Sequence, residues 1–317
     1  MARSKTMKGL GKMITQVERY LAYRRSLGYV LREEGRLLLD FARYADRVGH
    51  RGALTLVLAL RWARLPTGVD PAYWARRLQV LRCLAKYLAL FEPKTVIPPH
   101  RMLGRAFVRK VPHIYTAGEL AQLLHAARRL PPSGSLRPHT YCTLFGLMAC
   151  TGMRLGETVR LGVADVDLEA GIITVRHSKL HEARILPLHH SAREQLLRYH
   201  RKRQAEFPHA KTFFVSLRGS GLAVKTVEID FHRLTADWKG RGSRPRPRLT
   251  DLRHTFSCQV LLKWSRHQQD LDHDLLLLMH YLGHSKIRHT YWYLTGVPEL
   301  LRQAAAPFES HLPGSPE

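Results

Sequence analysis

Three side chains in the last seventy residues of this 317-residue chain have the types and order needed to act on a phosphate. Arg253 stands in Leu249-Thr-Asp-Leu-Arg-His254, and His284 and Tyr293 stand in Leu282-Gly-His-Ser-Lys-Ile-Arg-His-Thr-Tyr-Trp-Tyr293. A guanidinium offers paired donors to phosphate oxygens, an imidazole adds a third donor, and a phenol can attack phosphorus. Taken singly, Arg253 could pair with an acid, His284 could cap a helix and Tyr293 could join an apolar face. Taken together they read as a phosphate site with a nucleophile. The nine-residue step from His284 to Tyr293 can return the phenol toward the histidine on a turn that leads into a helix.

Two more cations sit where an anion would be drawn. Arg154 lies in Thr151-Gly-Met-Arg-Leu-Gly-Glu157, at a turn that opens a helix, where free N–H groups and the dipole already favour negative charge. Lys179 lies between two β-like runs, Ile172-Ile-Thr-Val-Arg-His177 and Arg184-Ile-Leu-Pro-Leu188, which predicts a hairpin with the lysine near its tip. Such a lysine keeps a turn soluble, and it can equally push an ammonium into a groove. Between Lys239 and Arg248 five basic residues share a loop with Gly and Pro, suited to phosphate contacts.

The whole chain is biased the same way. With 51 Lys and Arg against 25 Asp and Glu, the formal charge is +26, which calls for a polyanionic partner, nucleic acid first. A membrane surface fits less well, because the basic residues are spread throughout and no run approaches the roughly 18 apolar residues of a spanning helix. No apolar stretch follows the basic start, so no secretory signal is expected. Cys83, Cys142, Cys150 and Cys258 are scattered without a CxxC pair, which argues against a zinc site or a disulfide framework. They are expected to be reduced and buried, in a cytoplasmic, nucleoid-associated bacterial protein.

The elements that must position these residues fall into two domains. Apolar residues at three and four spacing predict a helical bundle over 1–92, for example Leu37, Leu38, Phe41 and Tyr44, then Trp74, Leu78, Leu81 and Leu84. Its outer faces carry Arg24, Arg25, Arg76, Arg77 and Arg82, a set able to grip a DNA backbone. Residues 93–115, rich in proline and basic residues, read as a linker; the twenty or so between Glu92 and Pro112 would span about 65 Å if extended. The second domain, 116–310, opens on the capping box Thr116-Ala-Gly-Glu119. Helices follow near 139–150, from a second box at Ser191-Ala-Arg-Glu194, near 224–238, and at 251–264, 274–282 and 287–294. Between them lie the hairpin and a short strand at Thr212-Phe-Phe-Val-Ser216. A short amphipathic helix is expected from 298, and 311–317 form a tail. The fold class is therefore mainly α with a small antiparallel β-sheet, an α+β domain after a helical bundle.

The ordered set Thr151-Gly-x-Arg154-x-x-Glu157, Lys179, Arg253-His254, Gly283-His284 and Thr290-x-x-Tyr293 resembles the tyrosine recombinases of the phage integrase family, most closely those carried by bacterial transposable elements. The resemblance covers the chain from about Thr116 onward. It implies a site-specific recombinase that cleaves and rejoins DNA through a 3′-phosphotyrosine link, serving integration, excision or transposition. It also implies no cofactor and no metal. Arg154 and Arg253 match the arginines that stabilise the phosphorane, Tyr293 the nucleophile, Lys179 the general acid and His284 the histidine that hydrogen-bonds the phosphate. Glu157 is expected to hold basic side chains in place. Tyr291 competes with Tyr293, but a two-residue helical step turns a side chain by about 200°, so the two cannot share one phosphate. One position departs from the family: Thr250 stands where a histidine is usual, three residues before the second arginine. A hydroxyl cannot exchange protons near neutral pH, and such help is worth roughly 10² to 10⁴ in rate. The alternative is therefore a weakened accessory recombinase, or a DNA-binding regulator that keeps the fold. The implied partners are double-stranded DNA, further copies of the chain in a tetramer on two sites, and other recombinases of the same element. Docking of the amphipathic stretch from Glu299 to Phe308 into a neighbour is one way to build that tetramer; packing on its own domain is the other.

Overall fold

A computed structural model describes residues 13–107, 109–176, 183–238, 246–265 and 271–294. The chain divides into two compact units, Met1–Arg109 and Lys110–Glu317.

In the first unit the expected bundle forms from α1 (Met13–Ser26), α2 (Arg32–Arg47), α3 (Leu56–Arg64) and α4 (Pro71–Leu88). Thr55 caps α3 by accepting from the Leu58 N–H, and Asp70 caps α4 ahead of a proline in its first turn. Val17, Phe41, Trp62, Leu81 and Leu84 are fully buried between the helices. Arg77 departs from the expected outer face: its guanidinium lies 3.8 Å from the Trp62 ring centroid and donates to the Trp62 carbonyl at 3.0 Å and to Asp40 at 3.3 Å. Trp62 Nε1 donates to the same carboxylate. Here an arginine serves the core because an aromatic face and an acid are both within its reach.

The stretch expected as a linker is shared between the units. Thr95 is buried, the Val96 N–H donates to the Leu54 carbonyl, Arg82 donates to the Pro98 carbonyl, and Leu103 packs on the bundle core. At the other end Tyr115 is buried in the second unit, its N–H donating to Thr255 Oγ1 and its hydroxyl to the Arg248 carbonyl. The segment from 93 to 107 thus folds back on the bundle, where Leu78, Arg82 and residues 99–107 line a cavity of about 480 Å³.

The second unit contains α5 (Ala117–Arg128), α6 (Leu136–Thr151), α7 (Leu155–Val159), strands β1 (Val166–Asp167), β2 (Ile172–Val175) and β3 (Arg184–Pro187), then α8 (His190–Glu206), α9 (Val224–Leu234), α10 (Leu249–Ser265), α11 (Leu271–Leu282) and α12 (Arg288–Tyr291). The strands form one antiparallel sheet in the order β1-β2-β3, with Val175 opposite Arg184. Helix α6 is the central post: Leu144, Phe145, Leu147 and Met148 are all buried, and α5, α8 and α10 pack around it. The box at Thr116 and Glu119 closes as expected. Ser191 does not start α8; His189 is the cap, its ring nitrogen accepting from the Ser191 N–H. Residues 212–216 make only isolated bridges, yet Phe213, Phe214 and Val215 are buried, so the apolar run records burial without a ladder. Helix α9 stops four residues early, and β1 is a strand too short for its pattern to show. All four cysteines are free, and Cys83 and Cys150 are exposed, contrary to expectation. The loop carrying Lys179 and the segment from 298 onward lie outside the described residues, among which no helix is long and apolar enough to cross a membrane.

Replacing Thr116 with Ala removes an acceptor from the first turn of α5. The change is expected to lower the unfolding free energy of the second unit by about 1 kcal/mol in denaturant titration, with Thr116→Ser costing far less. Equal midpoints for all three proteins would show that the box contributes nothing.

Candidate active site

Helices α6 and α11 both end on a left-handed glycine, Gly152 at φ 63° and Gly283 at φ 65°. Each leaves a carbonyl pointing away from its helix, and both ends turn toward α10. Arg253, on the second turn of α10 and only 7% exposed, fills the space between them. Its Nη1 donates to the Gly152 carbonyl at 2.8 Å and its Nη2 to the Leu282 carbonyl at 2.6 Å. The same Nη2 lies 3.0 Å from Nε2 of His284. Glycine is required at 152 on two counts, since a Cβ there would meet the Phe256 ring at 2.6 Å in a backbone region that L residues avoid.

Arg154 precedes α7 and points the same way. Its Nη2 donates to the Gly283 carbonyl at 3.1 Å and its Nη1 to Glu157 Oε1 at 2.7 Å, with the guanidinium still about a third exposed. Glu157 also receives the Arg154 N–H at 3.0 Å, and Arg184, the first residue of β3, closes on it with two contacts at 2.7 and 3.2 Å. Burial pushes the pKa of Glu157 upward, but the Arg184 hydrogen bond and charge, with help from Arg154, outweigh it and hold the carboxyl at about 2.

His284 follows Gly283 directly. Because Nε2 faces an arginine N–H, it accepts, and the ring proton sits on Nδ1, which donates to buried Thr290 Oγ1 at 3.0 Å. Burial first, then the charges of Arg253, Arg154, His289 and Arg184, push its pKa down to about 3, so the imidazole is neutral in the free protein. Tyr293 comes back over it from the end of α12: the rings stack with centroids 5.8 Å apart and the phenol oxygen lies 3.4 Å from Nε2. The His254 ring also meets the Tyr293 ring, edge to face with centroids 5.1 Å apart. Tyr291 points elsewhere, 41% exposed, its hydroxyl donating to Asp272 Oδ1 at 3.2 Å.

Four of the expected residues, Arg154, Arg253, His284 and Tyr293, thus meet in one place with Glu157 beneath them. Thr250 is exposed on the first turn of α10, one turn before Arg253, and its side chain makes no hydrogen bond among the described residues. One residue that completes the site was not singled out in the sequence, Arg184, and Thr290 entered only as the first residue of the Thr290-x-x-Tyr293 motif, with no role assigned to it. An arginine opening a strand carries no signal of its own; the only pointer to Arg184 is its place just after a lysine-bearing hairpin loop. Among the described residues no cluster of His, Cys, Asp or Glu is placed to hold a metal ion.

Residues 114–297 match the model of the phage integrase family. Among named proteins, the chain is 38% identical to y4rB of Sinorhizobium fredii, an integrase/recombinase by name, over 91% of this chain and 94% of that one. It is 29% identical to the tyrosine recombinase XerD of Bradyrhizobium diazoefficiens, over 84% and 85% respectively. Among solved structures, the Tn1549 transposon integrase in complex with transposon right end DNA superposes with a TM-score of 0.67 over 94% of this chain and 99% of that one, at 16% identity. The helical fold with its small sheet is the one seen there.

Glu157 sets a pH prediction. Its folded pKa lies below the ordinary carboxylate value, so its contribution is complete above about pH 4.5 and is lost as pH falls toward 2. With the side chain 3% exposed, that contribution is about 3 kcal/mol. Glu157→Gln is expected to be less stable at pH 7 and to show a flatter loss of stability between pH 4.5 and 2. Parallel curves for the two proteins would show that the carboxylate is not held by its arginines.

Proposed function

The chain belongs to the phage integrase family, the tyrosine recombinases, and on that premise we propose that it cleaves and rejoins DNA with Tyr293 as the nucleophile. The observation that supports this most directly is the phenol of Tyr293 lying 3.4 Å from His284 Nε2, which is itself 3.0 Å from the buried guanidinium of Arg253. A phosphate seated there meets Arg154 and Arg253 from two sides, the arrangement that suits the added negative charge of a pentacoordinate phosphorus. Attack forms a bond from the Tyr293 oxygen to phosphorus and breaks the bond to the 5′ oxygen, which takes a proton from Lys179. The phenol proton leaves to water, because Thr250 offers no base. The 3′-phosphotyrosine link conserves the bond energy, so a 5′ hydroxyl of either strand can reverse the step and rejoin DNA without a nucleotide cofactor.

His284 has a matching electrostatic role. Unliganded, it is held neutral by burial first and by the surrounding arginines second; a bound phosphate cancels part of that charge and favours a ring that takes up a proton and donates to a phosphate oxygen. The +26 charge of the chain supplies the nonspecific grip on the duplex. In this reading four copies act on two DNA sites, alone or with other recombinases of the same mobile element, in the bacterial nucleoid, for integration, excision or transposition. The exposed hydroxyl of Thr250 favours a second reading, an accessory recombinase whose own cleavage is slow.

Duplexes from the DNA flanking the gene, nicked beside candidate cleavage points so that the cut fragment diffuses away, distinguish these readings. Wild type and Tyr291→Phe are expected to give a covalent protein–DNA band on a denaturing gel, and Tyr293→Phe none. Thr250→His should raise the rate of band formation at least tenfold if the threonine limits cleavage. Binding without a covalent band in both wild type and Thr250→His would overturn the enzymatic reading in favour of a regulator.

A further inference from the structure

We propose that Arg184 is a positioning residue for strand cleavage, which engages Glu157 so that Arg154 keeps its charge for the phosphate; this rests on the function proposed above. Glu157 is 3% exposed, ionised, and hydrogen-bonded directly to a phosphate-facing arginine. Left with Arg154 alone, that carboxylate would neutralise it, and a neutral pair beside one buried Arg253 is a poor seat for a doubly charged transition state. Arg184 changes the balance. It takes Oε2 at 2.7 Å and Oε1 at 3.2 Å, so that two arginines hold one carboxylate and, with Arg253 close by, two net positive charges remain.

The geometry gives Arg184 a second hold on the same site. A Cβ on Gly283 would lie 3.1 Å from Arg184 Nη1, so the guanidinium packs directly under the turn whose carbonyls receive Arg154 and Arg253. The side chain is 11% exposed, and its Nε is buried without a partner among the described residues. Both terminal nitrogens of the fork are spent on Glu157 even though the Nε donor goes unpaired, which is a costly arrangement for an arginine kept only for packing. As the first residue of β3, opposite Val175, Arg184 also ties the sheet to α7. Its side-chain hydrogen bonds among the described residues go to Glu157, and it acts through that carboxylate.

The test is a double-substitution cycle on the nicked duplex, reading the rate of covalent complex formation, DNA binding by gel shift and thermal melting. Arg184→Met is expected to slow cleavage roughly tenfold to a hundredfold, less than the loss of a direct phosphate donor. Its DNA binding should be nearly unchanged, because most of the grip lies elsewhere. Arg184→Lys should recover part of the rate, since it keeps the charge without the two-pronged fit. Glu157→Gln is the discriminating change: alone it should slow cleavage, but in the Arg184→Met background it should speed cleavage, because the surplus negative charge has gone. A purely structural role for Arg184 would instead make the two losses add, with melting falling in step, and that outcome overturns the proposal. So does Arg184→Met cleaving within twofold of wild type. A wild-type protein that forms no covalent complex overturns the proposed reaction itself, and the proposal with it.

Discussion

A guanidinium that is almost wholly buried must have its donors met by fixed acceptors, and the second unit is built to meet this demand for Arg253. The acceptors are carbonyls from two helix ends, Gly152 after α6 and Leu282 at the end of α11. Helix C-termini carry partial negative charge, so each is a favourable neighbour for a cation as well as a hydrogen-bond acceptor. Because the two glycines end their helices in the left-handed conformation, both carbonyls are released in the right direction. The placement of Arg253 therefore fixes three helices relative to one another. Everything else in the site is measured from that point: His284 is the residue after Gly283, and Arg154 lies two residues beyond Gly152.

Charge explains why the rest of the site is arranged as it is. Arg154, Arg184 and Arg253 repel one another in a space partly shut off from water, and Glu157 is the only carboxylate among the described residues that bonds to two of them. It offsets part of that repulsion, and the three guanidiniums still outnumber it. Burial and, after it, the same field push the pKa of His284 down. Its tautomer is then set by Thr290, which fixes the ring edge that Tyr293 meets.

Much of this was legible in the order of residues. Arg154, Arg253, His284 and Tyr293 announced themselves by type, spacing and neighbouring glycines, and the helical periods around them were strong. The turn per residue of a helix meant that Tyr293 and Tyr291 could not share one phosphate, the resemblance to the Thr-x-x-Tyr pattern selected Tyr293, and the pairing of Tyr291 with Asp272 on α11 shows where the other face goes. What was not legible depends on contacts between segments far apart in sequence. Arg184 meets Glu157 across 27 residues, and nothing local distinguishes it from the other surface arginines of a basic chain. Arg77 was misread for the same reason, since only the fold brings Asp40 and the Trp62 ring beside it. The Phe213-Phe214-Val215 run looked like a strand because burial and β pairing favour the same residues. The basic stretch after Glu92 looked like a linker because proline erases periodicity whether or not the segment packs.

Thr250 shows how position and chemistry can separate. The start of α10 is held by its neighbours: the Arg248 N–H and side chain both bond to Asp251, which is fully buried, and Tyr115 holds the Arg248 carbonyl. Thr250 sits between these anchors, exposed, and contributes no hydrogen bond of its own among the described residues. Any side chain there would be carried to the same place, one helical turn before Arg253, so the backbone does not select for imidazole. On the reaction proposed above, substitution at this position is expected to change proton transfer without disturbing the frame that aims Arg253. The threonine is therefore a chemical difference rather than a sign of a decaying fold, and the intact set of arginines around it is what a chain still using phosphate chemistry would be expected to keep.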